Sequence, residues 1–340
     1  MDWVAELNSR IDMQDAKYIS MLFDASKQWS RETDCHALNE VKQPFGALLK
    51  LHHAVHAEKA YGLIEQLVNG TVKHLGKEHW ATCISKAIFY GVFQLRQLAG
   101  TRRISRLLYI SHKALLHDSN STFFYITNML LETYRETGEL ELAEDVFRNT
   151  SPPVNKTREY FTFYFYKGVF ALYSELFEEA NMLFKTAFAY RRGQKAIAPF
   201  YFVSSLLTNR FPKQKYLQAF DCMYLLELAC TIKKGEYSSI CSNVEMVFAN
   251  IKDYTVYRVL MVHAPFVCLA SLMHQTYLNH GSDNKLKIQR IANAIGDSDL
   301  KETICLISSL ISLGRVKGYI SIAKMVVVFS RIDPFPCSIH

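Results

Sequence analysis

The chain has 340 residues, with 39 Lys plus Arg against 32 Asp plus Glu and a formal net charge of +7. It is 49% hydrophobic and 21% charged, which excludes a disordered chain, and its length is enough for two domains with full cores. Only 14 Gly and 8 Pro argue against an all-β chain of tight turns, whereas 19 Tyr and 22 Phe are a heavy load of rings of the kind that fills helix-on-helix interfaces.

The first residues carry charges and no apolar stretch, so no signal peptide is expected there. Val4, Leu7, Ile11, Tyr18, Met21 and Leu22 recur every three to four positions, which predicts helix over residues 3–29. The same period predicts helix over 46–69 and 80–99. Within 46–69, His52 and His56 have the i, i+4 spacing of two zinc ligands. A zinc-protease motif would need Glu where His53 stands, and no Cys or carboxylate cluster at ligand spacing completes the set. The expectation is a His-rich helix face and no metal.

A repeat follows. Gly138, Ala143 and Phe147 after Tyr134 place a small residue four positions before an aromatic, and Gly168, Ala180, Phe184 and Ala187 do so again. The small residue lets two helices approach and the ring fills the groove beside it, as in tetratricopeptide repeats. Ser151-Pro-Pro breaks the chain between the two units, and a third, weaker unit centres on Gly235. The apolar run Val259 to Met273, interrupted by His263 and Pro265, is short for a membrane span and predicts a buried helix within 255–278. A further helix is expected over 285–295. Asp299 then opens a helix whose Leu300, Ile304, Ile307 and Ile311 share one face, and Gly314 ends it. Beyond it, 317–321 and Met325 to Phe329 predict two strands joined by a turn at 322–324. Helix, helix and hairpin at the end of a helical chain predict a winged helix, with no strand before residue 300.

The eight cysteines have no C-x-x-C pair and sit among apolar residues, as reduced core cysteines do. A soluble intracellular protein without membrane insertion is expected. No Walker loop, G-x-G-x-x-G or G-x-S-x-G is present, so no enzyme, catalytic residue or cofactor is expected.

A helical repeat running into a terminal winged helix resembles the PCI family, the module of the proteasome lid, the COP-nine signalosome and translation initiation factor three. The stretch Tyr160 to Phe188 resembles that family's tyrosine-rich helix, small residue, acidic turn and aromatic-ended helix. The tail, Gly314 to Ser321, Val326 to Arg331 and Asp333-Pro-Phe-Pro336, is similar to one subfamily: the PCI subunit of the nuclear transcription-and-export complex two and its signalosome-associated paralogue. Only four residues follow that motif, so no bundle helix of the lid or signalosome kind is expected. The chain departs from the subfamily over 191–202, where the charges remain in part but the helix is rewritten with a proline, Pro199, and the resemblance covers roughly residues 120–340. It implies an all-α, right-handed helical-repeat solenoid ending in a winged helix, divided as 1–120, 121–254 and 255–340. It further implies a non-catalytic scaffold subunit of an mRNA-export complex. Its partners would be a larger PCI-type scaffold protein and a small acidic disordered subunit. Its place would be the nucleus, near the nuclear pore, with a cytoplasmic pool compatible. The alternative is an adaptor of a signalosome-like or lid-like complex with no nucleic-acid role.

Charge adds a second line. No acid occurs from Ala180 to Phe220, which carries Lys185, Arg191, Arg192, Lys195, Arg210, Lys213 and Lys215. None occurs from Thr303 to Ile332, which carries Arg315, Lys317, Lys324 and Arg331, or from His79 to His117, which carries Lys86, Arg96, Arg102, Arg103, Arg106 and Lys113. Acids gather instead at Glu132, Glu136, Glu139, Glu141, Glu144 and Asp145. A single such run is usually a solvated face, but three segregated runs point to RNA or DNA held through its phosphates. The candidate contacts are Arg191, Arg192, Lys195, Arg210, Lys213, Lys215, Arg315, Lys317, Lys324 and Arg331. Tyr201 and Tyr319 are candidate stacking residues, although core packing is the commoner role of such rings. Met325, Val327 and Phe329 are expected at an open strand edge that pairs with the scaffold partner.

Overall fold

The structure is a computed structural model. It describes residues 3–23, 37–76, 78, 80–116, 121–152, 155–281, 284–296 and 299–336. The chain divides into two compact units, Met1–Tyr166 and Lys167–His340, so the division falls inside the segment 121–254.

In the first unit the described helices are α1 (Trp3–Asp12), α2 (Ala16–Leu22), α3 (Phe45–Glu58), α4 (Tyr61–His74), α5 (Thr82–Gln94), α6 (Arg96–Ala99), α7 (Thr101–Ala114), α8 (Ser121–Thr137) and α9 (Leu140–Asn149), followed by the start of α10 (Arg158–Tyr173). The long helices expected from periodicity are each broken. Asp15 caps α2 by accepting from the Tyr18 N–H, and residues 24–29 lie outside the described residues. Lys59, at φ +53, separates α3 from α4. An apolar period continues across such a break, because packing one face needs the same spacing in both helices. α3 packs on α4, α7 on α8, and α8 on α9, while α5 meets α2, α4 and α8.

In the second unit α11 (Phe177–Phe188), α12 (Gln194–Leu207), α13 (Gln214–Ala219), α14 (Leu226–Lys234), α15 (Ile240–Ile251) and α16 (Tyr254–Asn279) precede β1 (Lys285–Lys287), α17 (Ile288–Ile295), α18 (Leu300–Ser312), β2 (Gly318–Ser321) and β3 (Val326–Phe329). α12 runs through Pro199 without a break. Both repeat units are helix pairs: Ala143, Ala180, Phe184 and Ala187 are all buried. Gly235, at φ +70, turns the chain after α14 toward α15 where the third unit was expected. α16 is the one described helix long and apolar enough to cross a membrane. Here Val259, Leu260, Val267 and Met273 are buried within the unit, and the helix packs on α14, α15 and α17.

The winged helix forms as expected, with one correction. A strand does occur before residue 300: β1 opens the segment expected to be helix over 285–295, and the helix begins only at Ile288. Leu286 is buried opposite Val327, so this short piece is held by tertiary pairing rather than by local pattern. The sheet order is β1-β3-β2, both pairs antiparallel. Its core joins Leu269 and Met273 of α16 to Ile291, Ile307, Leu310, Val327 and Phe329. Phe335 of the Asp-Pro-Phe-Pro motif closes it, with its ring centroid 5.3 Å from that of Phe329 and 5.5 Å from that of Tyr277.

The cysteines correct a second expectation. Cys222 and Cys268 are buried, but Cys83, Cys230, Cys241 and Cys305 are exposed, because each lies on the outward face of a helix whose neighbours in sequence point inward. Cys35 and Cys337 lie outside the described residues.

Candidate nucleic-acid interface

The basic run at 185–215 occupies the end of α11, a short turn at Arg191–Gly193, the start of α12 and the loop into α13. The run at 315–331 occupies the hairpin of the same unit. A cleft of about 1160 Å³ brings members of both together: Arg210 and Lys213 line it from the first run and Arg315 from the second, with Lys233 beside them. Glu175, Glu178 and Glu179 also line it.

The ten candidate cations separate into two groups. Lys195 Nζ lies 2.7 Å from Asp221 Oδ2, Arg210 Nη2 lies 2.8 Å from Glu178 Oε2, and Lys317 Nζ lies 3.1 Å from Asp333 Oδ2. Arg315 Nη2 donates to the Leu207 carbonyl at 3.2 Å. These four are engaged within the fold, three of them by carboxylates that stand just outside the acid-free runs. Arg191, Arg192, Lys213, Lys215, Lys324 and Arg331 are exposed and have no carboxylate partner among the described residues. Together with Lys185 of the first run, which is likewise exposed, these six are the cations of the two runs in this unit with no carboxylate partner among the described residues.

Three of the six cations named in the third run meet carboxylates. Arg96 grips Glu136 with two hydrogen bonds of 3.0 and 2.8 Å, Lys86 pairs with Glu159, and Arg102 lies 3.8 Å from Glu139. The acid cluster seen in the sequence is therefore in part the counter-charge of this run. The Tyr166 hydroxyl donates to Glu132 at 3.1 Å, and burial together with the Glu132 charge pushes the Tyr166 hydroxyl's pKa upward.

The expected partner edge is corrected. β3 is the central strand and pairs with β1 on one side and β2 on the other, so it has no open edge. Val327 and Phe329 are buried in the winged-helix core, and Met325, at φ +50, belongs to the turn. A β-branched run reads as any strand, and only sheet order tells a central strand from an outer one. β2 pairs with no second strand among the described residues, and its Tyr319 and the following Ile322 are 63% and 67% exposed. Tyr319 is thus a surface ring, not a core one.

The histidine pair meets ring to ring. His52 Nε2 lies 3.2 Å from His56 Nε2, and no group of three His, Cys, Asp or Glu able to hold a metal occurs among the described residues. Burial and the neighbouring His56 push the His52 imidazole down to about 4.

No protein-family model matches the chain. It is 24% identical over 228 residues to "PCI domain-containing protein 2 homolog" of Drosophila melanogaster, covering 62% of this chain and 56% of that protein. It is 26% identical over 234 residues to "Enhanced ethylene response protein 5" of Arabidopsis thaliana, again 62% and 56%. It is 23% identical over 234 residues to "Protein CSN12 homolog" of Schizosaccharomyces pombe, covering 63% and 54%. The chain thus spans just over half the length of these relatives.

Proposed function

This chain is a PCI-domain protein, and from that premise we propose that it is a non-catalytic scaffold subunit of a nuclear mRNA-export complex that holds nucleic acid on its basic surface. The observation that carries the reading is the union of two distant basic runs in one unit, with Arg210, Lys213 and Arg315 on a shared cleft and Arg191, Arg192, Lys215, Lys324 and Arg331 exposed in the same two runs. Lys and Arg without a base-reading element grip phosphates, so binding is weakly dependent on sequence and falls with salt. The larger PCI-type scaffold partner docks at the β2 side of the sheet, where the outer strand carries the exposed Tyr319 and runs into the exposed Ile322. A small acidic disordered subunit completes the complex by covering part of the cationic surface.

The test uses the complex, because the scaffold contributes to the surface. Arg191, Arg192, Lys215, Lys324 and Arg331 are replaced together by Glu, and affinity for single-stranded RNA is measured across a salt series. The parent complex is expected to lose about 0.7 in log affinity per phosphate contact for each unit of log salt, and the variant to lose binding with unchanged helix content. Equal affinity of parent and variant at near-physiological salt sinks the reading. A protein adaptor of a signalosome-like complex then takes its place, a role that the three glutamates of the cleft would suit.

A further inference from the structure

Beside the cleft lies a second hollow, of about 410 Å³, between the end of α11, the middle of α12 and α13. Its walls carry the rings of Phe188, Tyr201, Phe211, Tyr216 and Phe220. These rings are only partly covered by the fold, and Tyr216 is 48% exposed. Apolar rings gathered round an open hollow are unusual on a surface and mark a binding site. They form a connected set: the Phe188 centroid lies 5.3 Å from that of Tyr201 and 4.9 Å from that of Phe220.

Charge narrows the occupant. No Asp or Glu lines this hollow, in contrast to the three glutamates of the cleft. Lys213 and Arg210 stand on its rim, and Lys215 Nζ lies 5.1 Å from the centre of the Tyr216 ring. Asp221, next to Phe220, is neutralised by Lys195. The polar wall is closed upon itself: Asn181 Nδ2 donates to Ser205 Oγ at 2.7 Å, and Asn181 Oδ1 accepts from Arg210 Nη1 at 2.9 Å. The hollow therefore offers ring faces and cations, with little hydrogen-bonding capacity left to read an edge.

We propose that this hollow holds an unstacked base of single-stranded RNA, stacked on Tyr216 and its neighbouring rings, with the flanking phosphates on Lys213 and Lys215. The proposal rests on the nucleic-acid reading above and adds a site and a strand preference to it. Exposed rings beside unpaired cations are how single strands are gripped, because every base has a face to stack and a duplex hides those faces. Recognition is by stacking, so it tolerates any base.

The experiment measures binding of the complex to a 12-nucleotide RNA, to the same RNA as a duplex, and to an acidic 12-residue peptide with one tryptophan. The single strand is expected to bind more tightly than the duplex. Tyr216→Ala should weaken it at least about fivefold with an unchanged salt slope. Tyr216→Trp should retain affinity and gain tryptophan quenching on binding, which a merely structural role would not produce. Lys213→Ala should lower the salt slope by about 0.7. RNA binding that survives Tyr216→Ala but is lost on replacement of Arg191, Arg192, Lys324 and Arg331 by Glu overturns the hollow and leaves the platform standing. Absence of RNA binding by the parent overturns both. Tyr216-dependent binding of the peptide and not of RNA overturns the base and identifies a protein ligand.

Discussion

The ring of Phe184 fills the space that a side chain on Gly168 would need. A Cβ at Gly168 would lie 2.9 Å from two carbons of that ring, nearer than real Cβ atoms approach. Phe184 is fully buried, so it cannot swing aside. This contact between α10 and α11 is the physical content of the repeat: the small residue is small because the next helix puts a ring there.

Gly168→Ala is therefore expected to lower stability by about 1–2 kcal/mol despite the helix propensity that alanine gains. Gly62 is the control. It lies in α4 with open space where a Cβ would go, so Gly62→Ala should raise stability by up to about 1 kcal/mol. Urea midpoints of the two variants moving in the same direction would refute the account.

The buried histidines make the first unit acid-sensitive. His52 is pushed down to about 4 by burial and by His56 and His53, and His112 to about 4 by burial and Lys113. His112 Nδ1 donates to the Thr127 hydroxyl at 3.0 Å, which itself donates to the Phe123 carbonyl. Burial and Lys59 lower His56 as well. The unfolded chain takes up these protons near pH 6.5, and the folded chain resists them. Stability is thus complete above 6.5 and falls as pH drops from 6.5 toward 4. Each of His52 and His112 should remove about 2 kcal/mol between pH 7 and pH 5. His52→Leu should shrink that loss in denaturant titrations at the two pH values. An undiminished loss would show that the His52 environment is not as described.

Val327→Asp tests the corrected sheet order. Val327 is fully buried between β1 and β2, so a carboxylate there is uncompensated and should cost at least about 3 kcal/mol, unfolding the winged helix. Ile322→Asp, at a 67% exposed position, should leave the fold intact and weaken capture of the proposed scaffold partner. A folded Val327→Asp protein with normal thermal stability would contradict the central placement of β3.

Much of this architecture was legible in the chain. Local spacing determined the helices, since burying one face imposes a period that survives in the sequence. Ala143, Ala180 and Phe184 announced the helix pairs for the same reason. Gly314 and the β-branched run after it announced the hairpin, because helix termination and pleated packing are local demands. The acid-free runs were legible as composition. Tertiary structure alone decided the rest. Lys285–Lys287 becomes a strand only by pairing with β3, and β3 is central only because that strand and β2 flank it. Which cations stay open depended on Asp221, Glu178 and Asp333 arriving across 16 to 32 positions of sequence to meet Lys195, Arg210 and Lys317. The aromatic hollow likewise joins Phe188, Tyr201 and Tyr216 across three helices. Periodicity records which face of an element is buried, but not which element covers it, and the candidate site is made of those coverings.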